Sequence, residues 1–263
     1  MARGGRSYRC GVRSVVVVPT YQEAENIGPL LRAVRAQVPD TDIVVLDDDS
    51  PDGTGKLAEE IADELGRITV LHRAGKEGLG AAYREGFSWA LARPYDVIVQ
   101  MDCDLSHDPA ELPALIGLVA AGEVDCAIGS RYVQGGSTPN WPLHRRMLSR
   151  YGNRYTAAVL ALPVHDVTSG YRAYRSAALA AIHPETTSSN GYAFMSELAL
   201  RLVAENGILQ EHPITFVDRT HGASKMSVAI MVESLTRVTA WGLRLRLSRL
   251  QPILAGALRR RPA

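Results

Sequence analysis

Two aspartates one residue apart, Asp102 and Asp104, stand directly after a stretch, Val97 to Met101, that reads as a strand. Carboxylates at that spacing on a strand end leave the sheet together and can hold one hard, oxygen-liganded cation, of the kind shared with substrate phosphates. Such a cation neutralises charge that builds on a departing diphosphate. The alternative is a solvated acidic turn, since Asp-x-Asp triplets are common by chance. A second acidic cluster, Asp47-Asp48-Asp49, leads into Ser50-Pro51-Asp52-Gly53-Thr54. Pro51, Asp52 and Gly53 make a turn, and Thr54 is a candidate cap for the helix that follows. Three consecutive acids after a buried strand also call for a cation or hydrogen-bond donors nearby, and a nucleoside offers such donors. His72-Arg73 and Arg131 bring positive charge to other strand ends. No Ser-His-Asp or Cys-His set accompanies these groups, so the chemistry is that of anions held by a cation and by arginines.

The elements that must position these groups follow from hydrophobic periodicity. Val15 to Val18 and Ile43 to Leu46 are short apolar runs of the kind found in strands buried on both faces, and Ile68 to Leu71, Val97 to Val99 and Cys126 to Ile128 read as further strands. Between them, Ile27, Leu30, Leu31, Val34 and Val38 recur at helical spacing, as do Leu57, Ile61 and Leu65. Leu79, Ala82, Tyr83, Phe87 and Leu91 form a third such set, and Leu112, Leu115, Ile116 and Val119 a fourth. Alternating strands and helices predict an α/β fold with a mostly parallel sheet flanked by helices. Ligands of such sheets sit beyond the carboxyl ends of the strands, which is where the acids and basic groups gather. Gly135 to His144 reads as a mobile loop, and Ser196 to Ala204 as a helix. From Met226 onward apolar residues recur at helical spacing with a phase slip near Leu245 to Leu247, which predicts two amphipathic C-terminal helices or one bent helix.

The 263 residues suit one large domain, or one with a small appendage. A net charge of +1 gives no reason to expect nucleic acid as a partner. Charge is uneven, however: seven arginines and no acid lie from Arg237 to the end, and Arg3, Arg6, Arg9 and Arg13 mark a basic start. Cys10, Cys103 and Cys126 show no paired spacing and read as reduced cytosolic thiols. There is no signal-peptide pattern and no run of 18 apolar residues, so contact with a membrane would be peripheral and on its cytoplasmic face. No GxGxxG follows the first strand, where Pro19 and Tyr21 stand instead, which disfavours a nicotinamide dehydrogenase.

Pro19-Thr20-Tyr21-Gln22-Glu23, the Asp47 to Thr54 cluster, Lys76-Glu77-Gly78-Leu79-Gly80 and Asp102-Cys103-Asp104 together resemble the family 2 glycosyltransferases of GT-A fold. Gly129-Ser130-Arg131-Tyr132, Asp166 to Arg172 and Arg219 to Met226 narrow the resemblance to the polyprenol- and dolichol-phosphate mannose synthases. It runs from about Val15 to Met226. It implies a GT-A catalytic domain over 14–225, preceded by a basic tail over 1–13 and followed by a basic, amphipathic segment over 226–263. It also implies transfer of mannose from GDP-mannose to a polyprenyl phosphate with Mg2+ or Mn2+. The same chemistry with UDP-glucose or UDP-N-acetylglucosamine is the nearest alternative, and a nucleotide-sugar-binding protein without turnover is another.

By the same resemblance Pro19, Tyr21, Glu23, Asp47 and Asp49 belong to the nucleotide-sugar pocket with Lys76, Asp102 and Cys103. Asp102 and Asp104 are the metal ligands, with Ser106 where that family often has a Gln. Arg131, Arg145 and Ser149 match the cradle of the acceptor phosphate, and Arg219 and Lys225 match groups that close over donor and acceptor. The plain alternatives are a surface ion pair for Arg131, headgroup contact for Arg145 beside Arg146, a solvated helix start for Lys225 and helix capping for the glycines around Lys76. Many relatives gain membrane helices from an extension or a partner, so a membrane-anchoring partner protein is a further expectation.

Overall fold

Val15 to Val18 and Ile43 to Leu46 are buried, as apolar runs must be when helices cover both faces of a sheet. They lie in β1 (Ser14–Thr20) and β2 (Asp42–Asp47) of a computed structural model that describes residues 11–189, 191–218 and 228–258. The sheet continues with β3 (Ile68–His72), β4 (Val97–Gln100), β5 (Cys126–Ser130), β6 (Arg172–Arg175) and β7 (Leu209–Pro213). Its order is β3-β2-β1-β4-β6-β5-β7. Only β6 runs against its neighbours, pairing antiparallel with both β4 and β5. The sheet is therefore mixed but mostly parallel, and β1, β2, β3, β4, β5 and β7 all end on one edge.

Helices α1 (Ala24–Gln37), α2 (Thr54–Leu65), α3 (Leu79–Leu91) and α4 (Leu112–Ala120) cross between the parallel strands. The pleat divides β1 between two cores: Val15 and Val17 join the one with Tyr83, Phe87 and Phe194. Val16 and Val18 join the other, with Ile27, Leu30 and Leu115. Helix α3 lies so close to the sheet that a Cβ on Gly86 would stand 2.5 Å from Val17 Cγ1. The remaining helices are α5 (Leu143–Leu160), α6 (Ser176–Ala181), α7 (Gly191–Ala204) and α8 (Val228–Leu258).

Four local expectations are corrected. Leu143 and His144 already belong to α5. The stretch before them is tied down rather than loose, since the Ser137 amide donates to Ile214 O at 3.0 Å and the Phe216 amide to Ser137 O at 2.9 Å. Gly53, in the left-handed region at φ 84°, occupies the cap position of α2 instead of Thr54. The Thr54 hydroxyl instead donates to Asp52 and accepts the Glu23 amide, joining the starts of α1 and α2. Residues Val228–Leu258 form a single helix, so of the two expected forms it is the one-helix form that the described residues take. In α8, Val238 is buried and Trp241 and Leu245 pack on the first core, while Val232, Leu235, Leu243 and Leu247 stay exposed. Apolar side chains thus occupy both its faces, and the single apolar stripe of an amphipathic helix is absent from its described part.

Candidate active site

The chain's strand order switches between β1 and β4, which lie side by side and parallel, and ligands of such sheets sit beyond the carboxyl ends of the strands at that switch. On the β1–β2 side, Pro19 is buried at the end of β1, and Tyr21 follows it, half-buried. Lys76 Nζ lies 4.2 Å from the centroid of the Tyr21 ring. Glu23 accepts a hydrogen bond from Asn26 Nδ2 at 2.7 Å. Asp47 is buried and accepts from the Thr20 hydroxyl at 3.2 Å and from the Ser50 amide at 3.1 Å.

The three consecutive acids separate into three environments. Asp48 pairs with the buried Arg73, whose guanidinium also reaches Glu85 at 2.8 Å and Glu77 at 3.0 Å. Burial raises the Asp48 carboxyl above its ordinary range, with Arg73 opposing the shift. The like-charge cost inferred for this cluster is therefore relieved by an arginine inside the fold, a partner the sequence did not expose. Asp49 turns outward with φ 55° and is exposed, in a backbone region where Asp is tolerated better than most residues.

At the end of β4, Asp102 accepts from the Tyr83 hydroxyl at 2.7 Å. Tyr83 is fully buried, and burial followed by the Asp102 charge pushes its hydroxyl well above the ordinary value, so it stays a donor. The Asp102 amide donates to His107 Nδ1 at 3.2 Å. Asp104 accepts from the Ser106 amide at 3.1 Å, and Cys103, between the two acids, is buried. His107 stacks on Tyr171 with centroids 4.9 Å apart. Among the described residues no three His, Cys, Asp or Glu side chains gather around one point. The donor types here, two carboxylates and the Ser106 hydroxyl, are all oxygen, which is the chemistry that suits a hard divalent cation.

Arg131 follows β5 and is buried against Asp166. Its Nε and Nη2 each donate to that carboxylate at 2.7 Å, its amide donates at 3.0 Å, and Nη2 also reaches Thr168 Oγ1 at 2.9 Å. Phe216 and Trp141 lie 5.3 and 5.6 Å from the guanidinium carbon. Arg145 on α5 stacks on Trp141 at 4.1 Å and pairs with Asp218 at 2.9 Å. The same Asp218 accepts from Trp141 Nε1 at 2.9 Å. Ser149 accepts from the Tyr132 hydroxyl at 2.6 Å. Strand β6 alone separates β4 from β5, so the paired aspartates and Arg131 stand on one edge about two strand spacings, roughly 10 Å, apart.

The fold thus brings Pro19, Tyr21, Glu23, Asp47, Lys76, Asp102, Asp104, Ser106 and Arg131 to one edge of the sheet, with Arg145 and Ser149 beside Arg131 on α5. Arg219 and Lys225 lie outside the described residues. Tyr83, Trp141, Asp166, Phe216 and Asp218 join the site without having been singled out for a role. A tryptophan set in a Gly- and Pro-rich stretch is the sequence signal for Trp141, which the fold buries.

The sequence profile of the family described as Glycosyl transferase family 2 matches residues 15–182. The chain is 45% identical over 243 residues to the polyprenol monophosphomannose synthase of Mycolicibacterium smegmatis, across 92% of this chain and 91% of that one. It is 46% identical over 232 residues to the undecaprenyl-phosphate mannosyltransferase of Micrococcus luteus, across 88% of this chain and 95% of that one. Glucosyl-3-phosphoglycerate synthase from Mycobacterium tuberculosis, solved with Mn2+, UDP-glucose and phosphoglyceric acid, is similar in fold. Its TM-score is 0.63 at 20% identity over 88% of this chain and 80% of that one. The chain belongs to glycosyl transferase family 2, in the branch of the polyprenol monophosphomannose synthases, and is a glycosyltransferase of GT-A fold.

Proposed function

We propose that the enzyme transfers mannose from GDP-mannose to the phosphate of a polyprenyl lipid, working peripherally on the cytoplasmic face of a membrane. The observation that carries this reading is the common edge of β4 and β5, with an oxygen-rich pair of acids at one strand end and a buried arginine at the other. Identity above 40% with two enzymes named for mannose and polyprenyl phosphates supports the choice of sugar and acceptor.

Asp102, Asp104 and Ser106 would hold Mg2+ or Mn2+, which when bound neutralises charge on the leaving diphosphate. Tyr21, Glu23 and Asp47 would bind the nucleoside, with Lys76 and the exposed Asp49 at the pocket rim. A phosphate monoester is already ionised near neutral pH, so its attack on the sugar needs no strong base. The residues instead hold two anions in register. Arg131, fixed by Asp166, and Arg145, fixed by Asp218 and Trp141, would orient the acceptor phosphate, because planar guanidinium groups match phosphate oxygens. Attack from the face opposite the diphosphate inverts the anomeric carbon. Positioning and charge stabilisation supply most of the acceleration. Arg219 and Lys225 are proposed to close over the site.

No helix among the described residues is long and apolar enough to cross a membrane. Helix α5 supports surface contact instead: Leu143, Met147, Leu148 and Tyr151 are exposed, and the helix carries four arginines and no acid. Lipid headgroups favour that combination.

The test mixes purified protein with GDP-mannose, a short polyprenyl phosphate and Mg2+ or Mn2+, and looks for mannosyl lipid. Formation of that product, lost when Asp104→Ala is used, is expected. Turnover with UDP-glucose or UDP-N-acetylglucosamine in place of GDP-mannose would overturn the donor, and full activity of Asp104→Ala would overturn the metal role.

A further inference from the structure

We propose that Arg172 is a positioning residue that sets the spacing between the donor and acceptor halves of the site, acting through the loop 166–171 that it pins. The proposal rests on the reading above, in which Asp102 serves the donor and Arg131 the acceptor phosphate.

Arg172 opens β6, the strand between β4 and β5, opposite Gln100 on one side and Ile128 on the other. It is fully buried. A charge in the interior is ordinarily matched by a carboxylate. The hydrogen bonds of this guanidinium among the described residues include three to main-chain carbonyls: Val167 O, Ser169 O at 2.8 Å and Met195 O of α7 at 3.0 Å. One rigid planar fork therefore fastens the loop to the sheet and to α7.

The pinned loop touches both halves of the site. At one end, Asp166 holds Arg131 by three hydrogen bonds. Thr168 Oγ1 accepts from Arg131 and from Asn153 of α5, at 2.9 and 3.0 Å. At the other end, Gly170 packs so near Asp102 that an added Cβ would stand 3.2 Å from Oδ2. Tyr171 stacks on His107, which takes the Asp102 amide. A shift of this loop moves Arg131 relative to Asp102, and misplacement of reacting groups by 1 Å costs on the order of 100-fold in rate.

The test compares Arg172→Lys, Asp166→Asn and Gly170→Ala. GDP binding with Mn2+ is measured by calorimetry and farnesyl phosphate binding by tryptophan fluorescence, for which Trp141 beside Arg131 is a reporter. Turnover is counted per GDP-binding site. Asp166→Asn is expected to weaken farnesyl phosphate by about tenfold and spare GDP, and Gly170→Ala to do the reverse. Arg172→Lys is expected to leave both affinities within about threefold of wild type and lower kcat by about 10- to 100-fold. Wild-type kcat per site in that variant, or loss of one ligand only, overturns the proposal. A merely structural role would reduce the number of competent sites and leave kcat per site unchanged. Should Arg172→Lys not fold, the Asp166→Asn/Gly170→Ala pair decides, because two lesions in one loop should combine non-additively in kcat and additive losses overturn the idea. Failure of the functional reading would be visible separately, as a wild type that makes no mannosyl lipid. The spacer is then read by amide exchange: Arg172→Lys should speed exchange at Arg131 and Asp102 together, and a change at one end alone overturns it.

Discussion

The Tyr83 hydroxyl sits beneath the candidate cation site and donates to Asp102 at 2.7 Å from a fully buried ring. A hydrogen bond to a charged acceptor is worth about 1.5–3 kcal/mol, so Tyr83→Phe removes that support while preserving the packing of the ring with Phe87 and Phe194. The expected result is a fall in kcat/KM of about tenfold or more, with a raised requirement for Mg2+ or Mn2+. A metal titration of activity checks it, and an unchanged titration curve would count against a metal role for Asp102. The spacing of Asp102 and Asp104 was legible because an i, i+2 pair after a stretch that reads as a strand is a local pattern. The partners that hold the site together were not. Tyr83 lies in a helix where it reads simply as an apolar-face residue. Asp166 belongs to a quoted motif, but its pairing with Arg131 spans 35 positions of chain. Arg73 relieves Asp48 across 25 positions, and no periodicity encodes such a contact.

Strands buried on both faces announce themselves as apolar runs, as in β1, β2, β4 and β5, whereas Ile68 to Leu71 forms β3 at the sheet's edge and is only partly buried. Strand β6 gave no such signal, because its four residues, Arg-Ala-Tyr-Arg, begin with a buried arginine satisfied by carbonyls that only the folded chain supplies. The start of helix α5 carries no core-facing signal because its first apolar residues, Leu143, Met147, Leu148 and Tyr151, face outward, and only near its end do Val159 and Leu160 reach the first core. That outward face leads to a prediction. Replacing Leu148 and Tyr151 together by Glu adds negative charge to an exposed, arginine-rich face, where little stability is at stake. Binding to vesicles with anionic lipid should fall by about tenfold or more, since each basic residue near such a surface contributes about 1 kcal/mol that the new acids oppose. A flotation assay measures this, and unaltered flotation would remove α5 from the membrane contact.

The start of α1 carries a second element-scale prediction. Asp52 accepts from the Ala24 amide at 3.1 Å, the first of α1, and from the Thr54 amide and hydroxyl. Burial works to raise this carboxyl, but the hydrogen bonds outweigh it and hold Asp52 below its ordinary range. A carboxylate with a lowered folded value stabilises the fold above its unfolded value and loses that contribution as pH falls through the folded one. Asp52→Ala should therefore cost about 1 kcal/mol at neutral pH, as loss of a helix cap does. The gap from wild type should narrow on acidification through and below the carboxylate range. Melting curves of the two proteins from pH 7 downward provide the check, and a gap that widens in acid would contradict the assigned role.

At the scale of the whole molecule, the candidate site collects groups from the ends of β1, β2, β4 and β5 and from α5, so a ligand that spans it ties together segments far apart in the chain. Binding to the folded state alone stabilises by RT ln(1 + [L]/Kd), about 2.7 kcal/mol at one hundred times Kd. For a protein of this size each kcal/mol moves Tm by roughly 2–4 °C. GDP with Mn2+ at that saturation is therefore expected to raise Tm by about 5–10 °C. Chelation of the metal should remove most of the gain, because the diphosphate would then face the Asp102 and Asp104 carboxylates without a cation between them. Under the same conditions UDP should give a smaller shift if the pocket around Tyr21, Glu23 and Asp47 selects guanine. The same melts with Asp104→Ala separate the two contributions: the protein should keep its own Tm within a few degrees, since Asp104 lies at the site rather than in either core, yet lose the metal-dependent part of the shift. A GDP shift that is equally large with metal, with chelator and in Asp104→Ala would place the nucleotide away from the end of β4, and the proposed division of the edge into a donor half and an acceptor half would fall with it.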